Sequence, residues 1–233
     1  MRFRALLVLA LSGGMMAAAQ AADQSVPRNT SYYPDSYRPT SIDWTGWYTG
    51  LQVGGAFGSA SWNSVISGPG EDAKPSAVLG GGQIGVNWTR NSLLLGAEAD
   101  FTWTDLKDTA SAGAGFAHTV HTHWLSLVTG RVGYAVNQYL LYAKGGAAFA
   151  NERNKLVNTT TGQWSESGTT TQYGWTVGAG FEYAINPNWS ARLEYDYVAL
   201  PSRDLNLHGA LGTQPATVDF NIHKVVGGIN YRF

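Results

Sequence analysis

The chain has 233 residues, with 15 Lys and Arg against 16 Asp and Glu, a formal net charge of −1 at neutral pH, and no cysteine. That balance argues against nucleic acid as a partner, and the missing cysteines exclude a disulfide framework. The unusual entries are 29 glycines beside 9 Trp and 12 Tyr, a mixture suited to strands that curve and pack closely.

At the amino end Arg2 and Arg4 precede a short apolar run over residues 5–11, and Ala19, Gln20 and Ala21 supply a small-x-small cleavage pattern. Residues 1–21 therefore read as a secretory signal peptide cleaved after Ala21. The apolar run is well short of the roughly 20 residues that a spanning helix needs. Elsewhere Gly, Asn, Thr or charge interrupts every apolar run, so the exported chain is periplasmic, secreted or an outer-membrane β-barrel. Residues 22–43 are polar, contain Pro and Tyr and show no period. They read as a periplasmic tail or linker, ahead of a barrel over residues 44–233.

From Trp44 onward the chain divides into eight segments of period two, the signature of strands with two unlike faces. Residues 47–59 place Trp47, Leu51, Val53 and Phe57 opposite Tyr48, Gln52 and glycines. Residues 77–89 set Val78, Ile84, Val86 and Trp88 against Gln83 and Asn87, and residues 93–105 set Leu93, Leu95, Phe101 and Trp103 against Glu98 and Asp100. Residues 119–136 place Val120, Trp124, Val128, Val132 and Tyr134 opposite His121, His123 and Arg131, although Leu125 and Leu127 blur the alternation. Residues 139–151 carry Leu141, Ala143, Ala147 and Phe149 against Tyr142 and Lys144. The cleanest segment, residues 171–185, alternates Tyr173, Trp175, Val177, Phe181 and Tyr183 with Gln172, Thr176 and Glu182. Residues 189–199 oppose Trp189, Leu193, Tyr195 and Tyr197 to Arg192, Glu194 and Asp196. The last segment, residues 218–233, has Val225, Ile229, Tyr231 and Phe233 on one face and Lys224, Asn230 and Arg232 on the other, with Val226 as the exception.

The connections alternate too. Residues 90–92, 137–138 and 186–188 are tight turns rich in Asn, Ser or Pro, whereas residues 60–76, 106–118, 152–170 and 201–217 are longer and polar. Short turns at one end and long loops at the other describe an antiparallel up-and-down transmembrane barrel with periplasmic turns and four extracellular loops. Trp, Tyr and Phe near the strand ends fit two interfacial girdles, which orients the apolar face towards lipid and the polar face inward.

Eight strands leave an interior that side chains fill. This register sends Glu98, Asp100, Glu182, Glu194 and Asp196 inside with Arg131, Lys144, Arg192, Lys224 and Arg232, a matched set that favours a salt-bridged plug over an aqueous channel. Inner glycines such as Gly178 and Gly180 leave room for the long side chains. His121 and His123, two apart on a strand, are the candidates for a haem or metal ligand pair, but their spacing fits no zinc motif and the plainer reading is two polar lumen residues. The Gly-x-Gly-x-x-Gly match at residues 80–85 lies within a strand with no helix pattern after it. No Ser/His/Asp set gathers at one rim, so no catalytic residue, no metal, no cofactor and no enzymatic activity are expected.

Several stretches resemble the small porin-like outer-membrane β-barrel proteins of alphaproteobacteria, eight-stranded major surface proteins. They are residues 43–50 (DWTGWYTG), 96–101 (GAEADF), 130–135 (GRVGYA) with 141–146 (LYAKGG), 178–184 (GAGFEYA) and 192–197 (RLEYDY). The resemblance implies a Gram-negative outer-membrane location and insertion by the barrel-assembly machinery, which would read the last strand with Tyr231 and Phe233. It also implies outer-membrane lipid and lipopolysaccharide as surroundings. Some relatives in that family bind haem. The expected function is envelope integrity and surface display by a monomer, with an oligomer left open. A narrow or gated channel for small solutes is the alternative, and surface haem or metal binding is a weaker one.

Overall fold

A computed structural model describes residues 42–64, 68–69, 74–113 and 115–233 of the chain. The expected signal peptide, its cleavage site after Ala21 and residues 22–41 of the tail lie outside the described residues. The strands are β1 (Gly46–Ser64), β2 (Gly68–Pro69), β3 (Ser76–Arg90), β4 (Leu93–Gly113), β5 (Phe116–Val136), β6 (Tyr139–Asn158), β7 (Trp164–Glu166), β8 (Thr170–Ala184), β9 (Trp189–Gly209) and β10 (Gln214–Arg232). All pairings are antiparallel, and β10 returns to pair with β1, which closes eight long strands into a ring. The two short strands are accessories: β2 pairs with β1, and β7 lies between β6 and β9. Closure leaves no long unpaired edge, the condition for strands to cross lipid.

The short turns form where the sequence places them. Asn91 and Asn137 adopt left-handed backbone, φ 57° and 53°, which asparagine tolerates and a two-residue hairpin turn requires. In the third turn the Asn186 side-chain oxygen accepts the backbone N–H groups of Asn188 and Trp189 at 2.9 and 2.8 Å.

The other end differs from the expectation of long polar loops. Residues 106–118 are mostly strand, a hairpin of β4 and β5 that turns next to Gly115, and residues 201–217 continue β9 and β10. At about 3.4 Å per residue and a tilt near 40°, the 21-residue strands rise roughly 50 Å. An apolar band in such barrels is about 25 Å tall, so these hairpins project well beyond it. Period-two patterning marks where lipid begins and ends; it does not mark where backbone pairing ends.

The outer surface is apolar. Leu51, Val78, Leu95, Leu141 and Leu193 are between 58% and 77% exposed, a large loss in water and none in hydrocarbon. Aromatic rings edge this band. Trp189, Tyr231 and Phe233 form a run of contacts at 5.0 and 5.2 Å near the short turns, and Phe101, Trp103 and Trp124 cluster at 4.7 and 5.6 Å near the other end.

Candidate functional site: the barrel interior

The inward residues of β6 describe the interior from the short-turn end upward: Leu140, Tyr142, Lys144, Ala148, Ala150, Glu152, Asn154 and Leu156, all buried. The layers are thus apolar, ionic, apolar, polar and apolar. In the lowest, Trp44 is fully buried against Leu94, Leu140, Tyr142 and Ala184. Arg232 stacks over its indole at 4.4 Å and donates to the Asp43 carbonyl at 2.5 Å. Asp43 itself accepts the Thr45 backbone N–H at 2.9 Å, which holds its carboxyl below the usual pKa.

The ionic layer gathers nine of the ten charged residues expected inside. Lys144 Nζ lies 2.7 Å from Glu194, 3.1 Å from Glu98, 3.4 Å from Asp196 and 3.6 Å from Asp100. Lys224 Nζ lies 3.0 Å from Asp196 and 3.3 Å from Asp100. Arg192 reaches Glu98 at 2.7 Å and Glu194 at 3.3 Å, and Arg131 reaches Glu182 at 3.2 Å and Glu98 at 3.4 Å. The tenth residue, Arg232, is buried but stands apart from these pairs at the Trp44 end. Charges removed from water persist only when paired and hydrogen-bonded, and neutral groups complete the set. Gln83 donates to Asn230 at 2.7 Å, and Glu182 accepts from Asn230 at 2.9 Å and from Ser190 at 2.5 Å.

One arrangement occurs twice. Tyr48, Gly85 and Glu98 lie side by side on β1, β3 and β4, and the Tyr48 hydroxyl crosses the glycine to donate to Glu98 at 2.6 Å. Tyr142, Gly180 and Glu194 repeat this on β6, β8 and β9, with a hydroxyl–carboxylate distance of 2.7 Å. A Cβ on either glycine would sit 2.3 Å from the phenol, so glycine is what lets the ring lie flat across the strand. Arg131 packs over both rings, 3.9 Å from Tyr142 and 5.4 Å from Tyr48. Sequence patterning turned both tyrosines inward without showing this role; an inward Tyr whose cross-strand neighbour is Gly and next neighbour is Glu is the signal.

Above the ionic layer, Leu79, Leu106, Leu125, Leu127, Val198, Leu200, Phe220, Ile222 and Val226 form a buried apolar layer. It explains Leu125, Leu127 and Val226, which broke the alternation because they point inward at a level where both faces are apolar. Higher still are Glu152, Gln172, Asn154 and His118, with Gln172 donating to Glu152.

The register expected for the start of the fourth segment is corrected. The β5–β6 ladder slips between Thr122 and Trp124, leaving His123 as the bulged residue, and a bulge inverts the faces on either side of it. Val120 is therefore fully buried, while His121 and His123 point out of the barrel and not into the lumen. Their rings are 3.9 Å apart, and His121 Nε2 meets Asp105 Oδ1 at 2.5 Å. Among the described residues, the one group with three mutually close metal-ligand atoms is Glu98, Asp100 and Glu194, within 4.8 Å of one another. Lys144, Arg192 and Lys224 already occupy those oxygens.

Known proteins decide the family. A family model described as "Outer membrane protein beta-barrel domain" matches residues 6–233. The chain belongs to that family. It is 33% identical over 247 residues to the 31 kDa outer-membrane immunogenic protein of Brucella melitensis biotype 1, covering 97% of this chain and 99% of the relative. The 22 kDa outer membrane protein of Rhizobium leguminosarum bv. viciae is 33% identical over 153 residues, 65% of this chain and 66% of the relative. The solved structure of the outer membrane protease OmpT from Escherichia coli superposes with a TM-score of 0.52 at 9% identity, covering 84% of this chain and 100% of that one. That likeness concerns the fold alone. The protein is an outer-membrane β-barrel, as its patterning and its resemblance to the small alphaproteobacterial barrels imply, and its relatives are outer-membrane proteins of Gram-negative bacteria.

Proposed function

We propose that the protein is a closed barrel that strengthens the outer membrane and displays its hairpins at the cell surface. One observation carries this reading: the charged heads of Lys144, Arg192, Lys224, Glu98, Asp100, Glu194 and Asp196 have no solvent-exposed side-chain surface and form one connected set of ion pairs in the lumen. The apolar layer above and Trp44 below add two further barriers to water. An ion entering such a lumen would have to replace several charge-assisted contacts at once.

The short turns face the periplasm and the long hairpins face outward, the usual asymmetry of bacterial barrels. Curated relatives are named outer-membrane immunogenic proteins, which is in keeping with hairpins that stand clear of the membrane. No enzymatic role is assigned, since the five carboxylates of the ionic layer are each ion-paired with a Lys or Arg. The experiment is a deletion strain carrying either the wild-type gene or none. Loss of the protein should raise detergent sensitivity and vesicle release, and restored expression should reverse both. An unchanged envelope in the deletion strain contradicts the structural role.

A further inference from the structure

The outward face of β4–β6 carries a row of bases that the lumen does not explain. Lys107 pairs with His121 across β4 and β5, and His121 pairs with Arg153 across β5 and β6, so the three stand in line on one face. Lys107 and Arg153 are exposed, and neither has an ion-pair partner within 4.0 Å among the described residues. In the next row up, Lys155 lies 4.7 Å over the Trp164 ring. The acids facing this patch are Asp105, held by His121, and Glu166, the cross-strand neighbour of Lys155.

Directly below the row, Trp103 pairs with Trp124, and Phe101 packs against both. An aromatic cluster of this kind sits at the level of lipid headgroups. Unpaired cations one step above it meet the phosphates of the leaflet, where each contributes electrostatic attraction. Neighbouring strands are about 4.8 Å apart, which sets Lys107 and Arg153 roughly 10 Å apart at the backbone. Two long side chains can close that gap around one phosphate, with Arg able to bind it through two N–H groups.

We propose that Lys107 and Arg153, flanking His121, form a clamp for the phosphate of a phosphorylated glycolipid in the outer leaflet, whose acyl chains lie against Trp103 and Trp124. The inference rests on the orientation given under Proposed function, with the hairpin end outward. It is independent of whether the lumen conducts, so its failure and that of the closed-barrel reading are distinguishable.

The test uses the mature protein in detergent, titrated with bisphosphorylated lipid A and with the same lipid after dephosphorylation, and followed by native mass spectrometry. Heat-modifiable mobility on gels confirms that each variant is folded. The phosphorylated lipid should bind at least about tenfold more tightly than the dephosphorylated one. The double variant Lys107→Gln, Arg153→Gln should lose most of that difference, each single variant part of it, and Arg90→Gln at the short-turn end none. Equal binding of the two lipids, or undiminished preference in the double variant, would overturn the proposal.

Discussion

Replacing Lys144 with methionine keeps most of the side-chain volume and removes the one ammonium that touches four carboxylates, at 2.7 to 3.6 Å. Glu98, Asp100, Glu182, Glu194 and Asp196 would then face only Arg131, Arg192 and Lys224 within the layer. Each lost contact is worth several kcal/mol of gross attraction at an effective dielectric constant near 20. Relief of the ammonium's desolvation and of its repulsion by neighbouring bases offsets much of that sum. Removing one member of a buried pair typically costs about 3–5 kcal/mol, and we expect Lys144→Met to fall in that range. Urea unfolding of the barrel in lipid vesicles, followed by tryptophan fluorescence, measures it. The sign of the effect is checked by adding Glu194→Gln, which removes a charge of the opposite sign and should recover about 1–2 kcal/mol. A loss under about 1 kcal/mol for the single variant, the scale of a solvent-exposed pair, would refute the argument that the layer is dry.

Two further substitutions probe the packing around that layer. Gly180→Ala puts a Cβ 2.3 Å from the Tyr142 ring and should cost about 1–3 kcal/mol by overpacking. Gly80→Ala, whose Cβ would meet nothing nearer than the Gln52 carbonyl at 3.9 Å, should unfold like the wild type in the same assay. Trp44→Ala empties a fully buried site at the short-turn end and should destabilise by about 3–5 kcal/mol. An unchanged unfolding curve would show that Trp44 does not cork the barrel.

The strands and their faces were legible because lipid on one side and charge on the other impose a strict period of two. Glu98, Asp100, Glu194 and Asp196 fall on one face in any reading of their segments, and the structure brings them together with Lys144 and Lys224. The signal weakened wherever the two faces became alike. At the level of Leu125, Leu127, Phe220 and Ile222 the interior is apolar, so alternation between apolar and polar residues disappears. A single bulge at His123 then inverted the register without any mark in composition. The hairpin extensions were missed because above the membrane neither face borders lipid, and polar strands there look like loops. Trp44 precedes the first strand, where no period exists to assign its ring to the interior. Arg232 shared the parity of the ionic residues, but parity gives a face and not a height.

Planar-bilayer recording of the pure protein tests the closed lumen most directly. The account predicts a baseline without stable single-channel steps for the wild type across moderate voltages. Sizeable, reproducible steps from wild-type protein would contradict it and favour the narrow-channel alternative.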